Sequence, residues 1–357
     1  PEYSPLPLYK TSQLLFTSTR KSSTGGKVAA IGGDYFEDGY ICKAKNLNSL
    51  NPALDSAVNM GIGINTSAND GPIAIDGSER FVYIYRRSTL WKSNVSANGE
   101  LGEPYITKFP FLSRNSVGNS IFITKDNKTV YFVDSKPGGF GGKDIYKAVK
   151  MDDGKWGPAI NLGPTINSQL NEESPFFDEE ENTLYFSSQG HKSMGGFDVF
   201  KSTISESGNW GWPTNLGYPL NSGADDIFYV YNKEENIGFL SSMRKGGFGN
   251  YDIYQFNRVF DFDTKINVSF NDGLNPKTIT ISVLNEEGND SINVKLNPNG
   301  GIKYASNNTY RVTIPRFDSD TVFDTLVFNT PTSYRAANYL QEINYSKVKN
   351  YRDQLIG

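Results

Sequence analysis

Three stretches of the chain are near copies of one another: "GGFGGKDIYK" (Gly138–Lys147), "MGGFDVFK" (Met194–Lys201) and "GGFGNYDIY" (Gly246–Tyr254). Asp144, Asp198 and Asp252 hold the same place in them and are 54 residues apart. A second landmark keeps the same step, the ends of "TVYFVD" (Asp134), "TLYFSS" (Ser188) and "IGFLSS" (Ser242). Working outward, "RFVYIYR" (Arg80–Arg86) with "TLWKS" and "QLLFTS" (Gln13–Ser18) with "YICKA" are two weaker units. Ser4–Ser18 aligns with Ser174–Ser188 without a gap. The repeat is therefore fivefold over about 258 residues.

Each unit holds short stretches rich in aromatic and branched residues, bounded by Gly, Asn, Asp or Pro, as strands require. Four short strands per unit is the blade of a β-propeller. Helical repeats need apolar residues at three- and four-residue spacing over ten or more positions, and the units have none. The expected fold class is all-β, a propeller of five blades, with six the alternative if sequence outside the repeats completes another sheet. Gly142, Gly196 and Gly249 are expected where the chain turns tightly between second and third strands with positive φ. Asp144, Asp198 and Asp252 are expected to accept backbone hydrogen bonds as the third strand opens. The motif reads as structural, not catalytic.

From Val259 the repeat stops, and alternating strands with turns at "NDG", "EEGND" and "NPNGG" read as a small β-sandwich. The expected domains are residues 1–258 (propeller), 259–335 (sandwich) and 336–357 (a polar connector). The fifth unit runs straight from "DIYQFNRV" into the sandwich without an outermost strand, which a strand from upstream or from "FDFD" would complete.

The chain carries 35 Lys and Arg against 39 Asp and Glu, a net charge of −4, so it offers no electrostatic footprint for nucleic acid. Its one cysteine, Cys42, excludes an internal disulfide and a thiolate metal site and reads as a small buried hydrophobe. No apolar run is long enough to span a bilayer as a helix. The opening "PEYSPLPLYK" enters directly into patterned sequence, and the natural start is expected upstream.

The pattern "GxW…P…NLG…IN…NExSPFF…TLYFSSxG…GGFDVFK", from Gly154 through Lys201, resembles the TolB-related propeller repeats of OmpA-associated envelope proteins in Bacteroidota. "NPNGGIKYASNNTYRVTIP" resembles the end of a carboxypeptidase regulatory-like domain. The order of the two is similar to that in PorE-like components of the type IX secretion system. The resemblance implies a periplasmic, outer-membrane-associated scaffold with protein partners of an envelope complex. It implies peptidoglycan contact only through an OmpA-like domain not seen in these residues.

Candidate chemistry starts with the acids Asp70, Glu172, Glu173, Asp225 and Asp226, each just before an innermost strand, where loops converge on one face. Propeller glycosidases work with such carboxylates, so a carbohydrate-active or glycan-binding propeller is the alternative function. The bland role of the same acids is turn capping. "TKDNKTVY" (Thr124–Tyr131) resembles a sialidase Asp-box but falls between first and second strands, a plain hairpin. The single histidine, His191, sits in a glycine-rich loop without a GxSxG elbow and is expected in solvent. "DD" and "NEE" loops offer oxygen ligands for calcium without EF-hand spacing, so no metal and no cofactor is assigned. The long first-unit insertion "TRKSSTGGKVAAIGGDYFEDG", with Tyr35 and Phe36, is the most individual loop, and the expected partner contact is made by Tyr35 and Phe36 together with Asp70, Glu172, Glu173, Asp225 and Asp226. The expectation is a non-catalytic binding module.

Overall fold

The computed structural model describes residues 1–24, 35–48, 52–87, 89–113 and 120–258, together with the backbone of the strands between 261 and 347. Five antiparallel sheets follow in chain order, a five-bladed β-propeller. Blade 1 is β1 (Glu2–Leu8), β2 (Gln13–Ser18), β3 (Asp38–Lys43) and β4 (Val58–Asn59). Blade 2 is β5 (Asp70–Ile75), β6 (Phe81–Arg86), β7 (Thr89–Asn94) and β8 (Tyr105–Ile106). Blade 3 is β9 (Ile121–Ile123), β10 (Thr129–Asp134), β11 (Asp144–Val149) and β12 (Ile160–Asn161). Blade 4 is β13 (Glu172–Asp178), β14 (Thr183–Ser188), β15 (Asp198–Thr203) and β16 (Thr214–Asn215). Blade 5 has three strands among the described residues, β17 (Asp226–Asn232), β18 (Ile237–Ser242) and β19 (Asp252–Phe256).

The hydrophobic cores lie between blades, because each strand has period-two side chains and both faces of a blade meet a neighbour. Tyr131, Val133 and Ile145 of blade 3 pack on Leu184, Phe186 and Phe200 of blade 4. Tyr185 stacks on Tyr229 at 4.8 Å between centroids, joining blades 4 and 5. The ring closes where Leu14, Phe16, Tyr40 and Cys42 of blade 1 pack on Ile237 and Phe239 of blade 5. Cys42 is buried there, with its Sγ on the Leu14 carbonyl.

The Ser-Pro pair of the repeat marks a bulge in the innermost strand. Ser4 and Ser174 have φ of 56° and 54°, and the register slips there in β1 and β13. Phe228 fills this place in blade 5 at φ 57°, so the conformation belongs to the blade and not to serine.

A second compact unit comprises residues 232–236 and 257–357. Its strands β20 (Asp261–Phe270), β21 (Ile279–Asn285), β22 (Gly288–Val294), β23 (Ile302–Ala305), β24 (Thr309–Arg316), β25 (Ser319–Asn329) and β26 (Gln341–Lys347) form two sheets, β23-β20-β26 and β22-β21-β24-β25. Asp261–Asp263 of "FDFD" pair with Lys303–Ala305 inside this unit, so they do not complete blade 5. β26 lies in the stretch expected as a connector and pairs in parallel with β20. The side chains on which the regulatory-like resemblance rests lie outside the described residues.

Candidate functional site

The loops between second and third strands and the loops that lead from one blade to the next share one face of the disk. They are joined by backbone bonds, such as Gly142 N–H to the Leu170 carbonyl at 2.8 Å. This face carries every sequence-predicted site residue.

The repeated aspartate gathers its loop from behind. Asp144 Oδ2 accepts the Phe140 N–H at 2.7 Å and Oδ1 the Gly141 N–H at 3.1 Å. Asp252 Oδ2 accepts from Phe248 (2.7 Å) and Gly249 (3.2 Å), Asp198 Oδ2 from Met194, and Asp38 Oδ2 from Thr24. The donors lie upstream, the reverse of an ordinary Asx turn.

On its other side the aspartate meets an asparagine from the short outermost strand: Asn59 to Asp38 (2.7 Å), Asn161 to Asp144 (2.8 Å), Asn215 to Asp198 (2.9 Å). A second asparagine six residues on, Asn65, Asn167 or Asn221, bonds to the first at 2.8 Å in each blade. Its Oδ1 accepts the N–H of Gly39, Ile145 or Val199, and its amide donates to the same residue's carbonyl. These are "VNMGIGIN", "INLGPTIN" and "TNLGYPLN". Blade 2 has no such Asp and neither Asn, and its second and third strands are joined by a short turn, so the parts of the clasp are absent together.

Gly142 and Gly196 are glycine because the next loop is close, not because of their φ, which is not positive. A Cβ on Gly142 would lie 2.5 Å from Asn171 Oδ1, and one on Gly196 would collide with the Asp225 carboxylate. Gly249 needs neither: its φ is not positive and its surroundings are ordinary. Positive φ falls instead at Gly138 (88°) and Gly246 (96°), where the loops begin.

The acids at the inner strands are tied down. The N–H of Glu2, Asp70, Glu172 and Asp226 donates to the carbonyl just before the third strand of the preceding blade, at Tyr251, Glu37, Lys143 and Phe197, over 2.7–2.8 Å. Asp70, Glu172 and Asp226 are fully buried. The Glu172 carboxylate accepts from Ser168 N–H (2.8 Å), Ser168 Oγ (2.6 Å) and Ser188 Oγ (2.7 Å). That of Asp226 accepts from Ser222 N–H (2.6 Å) and Oγ (2.8 Å) and pairs with Arg244 at 2.9 Å. Asp70 accepts from the Thr66 N–H and hydroxyl; burial pushes its carboxyl up, against the pull of those bonds and of Arg86. Asp225 accepts from Phe197 N–H (2.9 Å) and Tyr251 Oη (3.0 Å). Burial, helped by Asp225, pushes the Tyr251 phenol well above its usual range. Glu173 is ion-paired with Lys143. Capping is thus what these side chains do here, and it leaves Asp70, Glu172 and Asp226 no exposed surface.

In blades 1, 3 and 5 a cation pairs with the acid while lying over one or two aromatic rings beside it. Arg20 bonds Glu2 (3.0 Å) and lies over Phe16 and Tyr40, 5.5 and 5.2 Å from their centroids. Lys136 pairs with Asp134 (3.1 Å), which carries the acid of blade 3 on its second strand, and lies over Phe132 and Tyr146. Arg244 lies over Tyr254. In blade 4 His191 takes this seat. Its ring meets Phe186 edge-on at 5.8 Å and Phe200 at 5.4 Å, with Nε2 2.8 Å from the Ile166 carbonyl. The histidine expected in solvent is a packing group.

Tyr35 and Phe36 are half-buried, and residues 25–34 of the same insertion lie outside the described residues. Among the described residues no group of three His, Cys, Asp or Glu is placed to hold a metal ion. Sequence reading missed the loop tips. Phe140, Met194 and Phe248 hold one place 54 residues apart and are 47%, 52% and 104% exposed. Tyr218 and Ile62, equivalent positions three residues after Asn215 and Asn59, are 82% and 83% exposed. The signal was in the repeat itself, as a large apolar residue kept where a loop turns outward.

No family model and no curated protein matches the chain. Among solved structures it is similar to TolB from Acinetobacter baumannii, at 9% identity and a TM-score of 0.41, covering 84% of this chain and 66% of that one. TolB of Agrobacterium tumefaciens shares 10% identity at a TM-score of 0.35, covering 81% of this chain and 89% of that one. An α-L-arabinofuranosidase from Lactobacillus brevis shares 13% at 0.41, covering 68% and 82%. The chain spans about two thirds of the first TolB's length.

Proposed function

We propose that this chain is a non-catalytic protein-binding scaffold, working in a periplasmic, outer-membrane-associated assembly. One observation carries the binding role: Phe140, Met194 and Phe248 are exposed on equivalent loops of three successive blades. The exposed part of an aromatic or methionine side chain adds nothing to the stability of the free chain, and large apolar side chains on rigid loops are the usual anchors of protein interfaces. The same face supports the absence of catalysis, since a general acid or nucleophile has to reach a substrate atom and Asp70, Glu172 and Asp226 are buried under their own turns. The envelope location is supported by the repeat pattern from Gly154 to Lys201.

The test is capture from cell envelopes with the full-length protein against Phe140→Ser/Met194→Ser/Phe248→Ser. The variant is expected to keep its thermal transition and lose the partners that the native protein retains. Equal recovery of the same partners by both would overturn the reading. So would turnover of a glycan that disappears on Glu172→Ala or Asp226→Ala in a folded variant, which would favour the carbohydrate-active alternative.

A further inference from the structure

The face that carries the loop tips shows exposed charge of one sign. Lys21, Arg87, Lys108, Lys192 and Lys245 stand in its loops, all exposed, and none of their side chains has an ion pair or hydrogen bond. Among the described residues no acid of these loops is exposed. Glu37, Glu173 and Asp225, which are half-buried, are held by the Tyr3 hydroxyl, by Lys143 and by the Tyr251 hydroxyl. The exposed acids Asp55, Glu100, Asp126, Asp153, Glu180 and Glu206 lie instead in hairpins between first and second or third and fourth strands, on the other side of the blades. A chain with a net charge of −4 thus turns a ring of uncompensated cations to one side. The cations interleave with the tips: Lys192 is two residues from Met194 and Lys245 three from Phe248.

Resting on the scaffold reading, we propose that this face binds an acidic segment of the partner protein, whose carboxylates meet the cations while its apolar side chains fill the spaces between Phe140, Met194 and Phe248. Unpaired cations on a rigid face steer an anionic partner and select against a basic one, since like charges across an interface are costly. The tips supply the apolar area, because charge pairs at a wet rim contribute little by themselves. A bilayer fits less well: Phe140 and Met194 are 47% and 52% exposed and keep about half their surface against their own loops, short of the ~5–10 Å that an interfacial anchor buries. A nucleic acid strand fits less well, because the cations are spread over blades 1, 2, 4 and 5 and follow no track. A second copy would offer hairpins of mixed sign, in which Lys10, Lys125 and Lys155 are exposed beside the acids.

The probe is a labelled peptide of four Glu-Glu-Phe-Gly repeats, added to the full chain. Saturable binding is expected, at least tenfold weaker at about 500 mM salt than at about 50 mM. Lys21→Glu/Arg87→Glu/Lys192→Glu/Lys245→Glu changes only exposed side chains, so it should keep its Tm and bind the peptide at least tenfold more weakly. Lys45→Glu/Lys125→Glu/Lys128→Glu/Lys150→Glu makes the same change in net charge at exposed positions on the other side and should bind within about twofold of the native chain. Phe140→Ser/Met194→Ser/Phe248→Ser should also weaken binding at least tenfold. No saturable binding, equal losses in the two charge-reversed chains, equal affinity for a single-stranded oligonucleotide or for phosphatidylglycerol vesicles, or self-association that the first charge reversal removes would each overturn the proposal. Envelope partners lost by the Ser variant but kept by the first charge-reversed chain would overturn it and leave the scaffold reading standing.

Discussion

Asn167 closes both backbone groups of Ile145 with one amide: its Oδ1 accepts the Ile145 N–H at 2.7 Å and its Nδ2 donates to the Ile145 carbonyl at 3.0 Å. The pair is 22 residues apart and buried, so a short outermost strand is fixed to the blade by a side chain doing the work of a ladder. Asn167→Ala strands the buried Ile145 N–H, at about 1–3 kcal/mol, and takes one bond each from the Ile145 carbonyl and Asn161 Oδ1, which still accept from Leu162 and Gly163 N–H, at about 1 kcal/mol more. A loss of about 2–4 kcal/mol is expected in denaturant unfolding, with Asn221→Ala equal to it. Asn209→Ala, which removes an exposed turn bond to Ser207 Oγ, serves as the control and should stay within about 0.5 kcal/mol.

Gly196→Ala tests whether the second glycine is there for room. Its added methyl group meets the Asp225 carboxylate, which is held from both sides by Phe197 N–H and Tyr251 Oη. The carboxylate has to leave one of those partners, and a loss of about 1–3 kcal/mol is expected. Gly249→Ala, with ordinary contacts and no positive φ, should lie within about 0.5 kcal/mol of the native chain. Equal losses at the two positions would show that backbone freedom, not space, selects glycine.

How much of this was legible follows from sequence distance. The 54-residue step gave the blades, because it recurs in strands of five to seven residues with strong alternation. The clasp did not show itself, since β4, β12 and β16 are two residues long and carry no periodicity, and the clasp asparagines act on residues 17 to 26 positions earlier. The acids Asp70, Glu172 and Asp226 were found by position, but their burial depends on Thr66, Ser168 and Ser222 folding back over them. His191 read as a loop residue because the ring pair it joins, Phe186 and Phe200, comes from two different strands. Tyr35 and Phe36 belong to the insertion, which has no counterpart in the repeat to read it against.

Asp70 carries a pH dependence with a defined sign. Its carboxyl is raised by burial, against Thr66 and Arg86, so the folded protein holds this proton more tightly than the unfolded chain does. Its contribution to stability is greatest below the unfolded value of 3.8 and is lost as pH rises through the raised folded value. Asp70→Asn keeps an oxygen for the Thr66 bonds and has no proton to lose. The Tm of the variant minus that of the native chain is therefore expected to be more positive at pH 7 than at pH 3.5. A difference that is flat or of opposite slope would remove Asp70 from the buried carboxylates under strain.

Cys42 reports on the seam that closes the ring. Its thiol is buried between blades 1 and 5, burial pushes it up from its ordinary range, and the Leu14 carbonyl takes its hydrogen. A maleimide needs an exposed thiolate, so native Cys42 should react only through opening of the seam. Phe239 packs in the same cluster at 2% exposure, and Phe239→Ala removes about 3 kcal/mol or more. At about 1.4 kcal/mol per decade, labelling of Cys42 should then speed up about a hundredfold. Phe132→Ala, in the core between blades 2 and 3, destabilises by a similar amount at a seam on the other side of the ring. If the two variants accelerate labelling equally, Cys42 is reached only by global unfolding. A larger effect from Phe239→Ala means that the ring opens first where blade 5 meets blade 1.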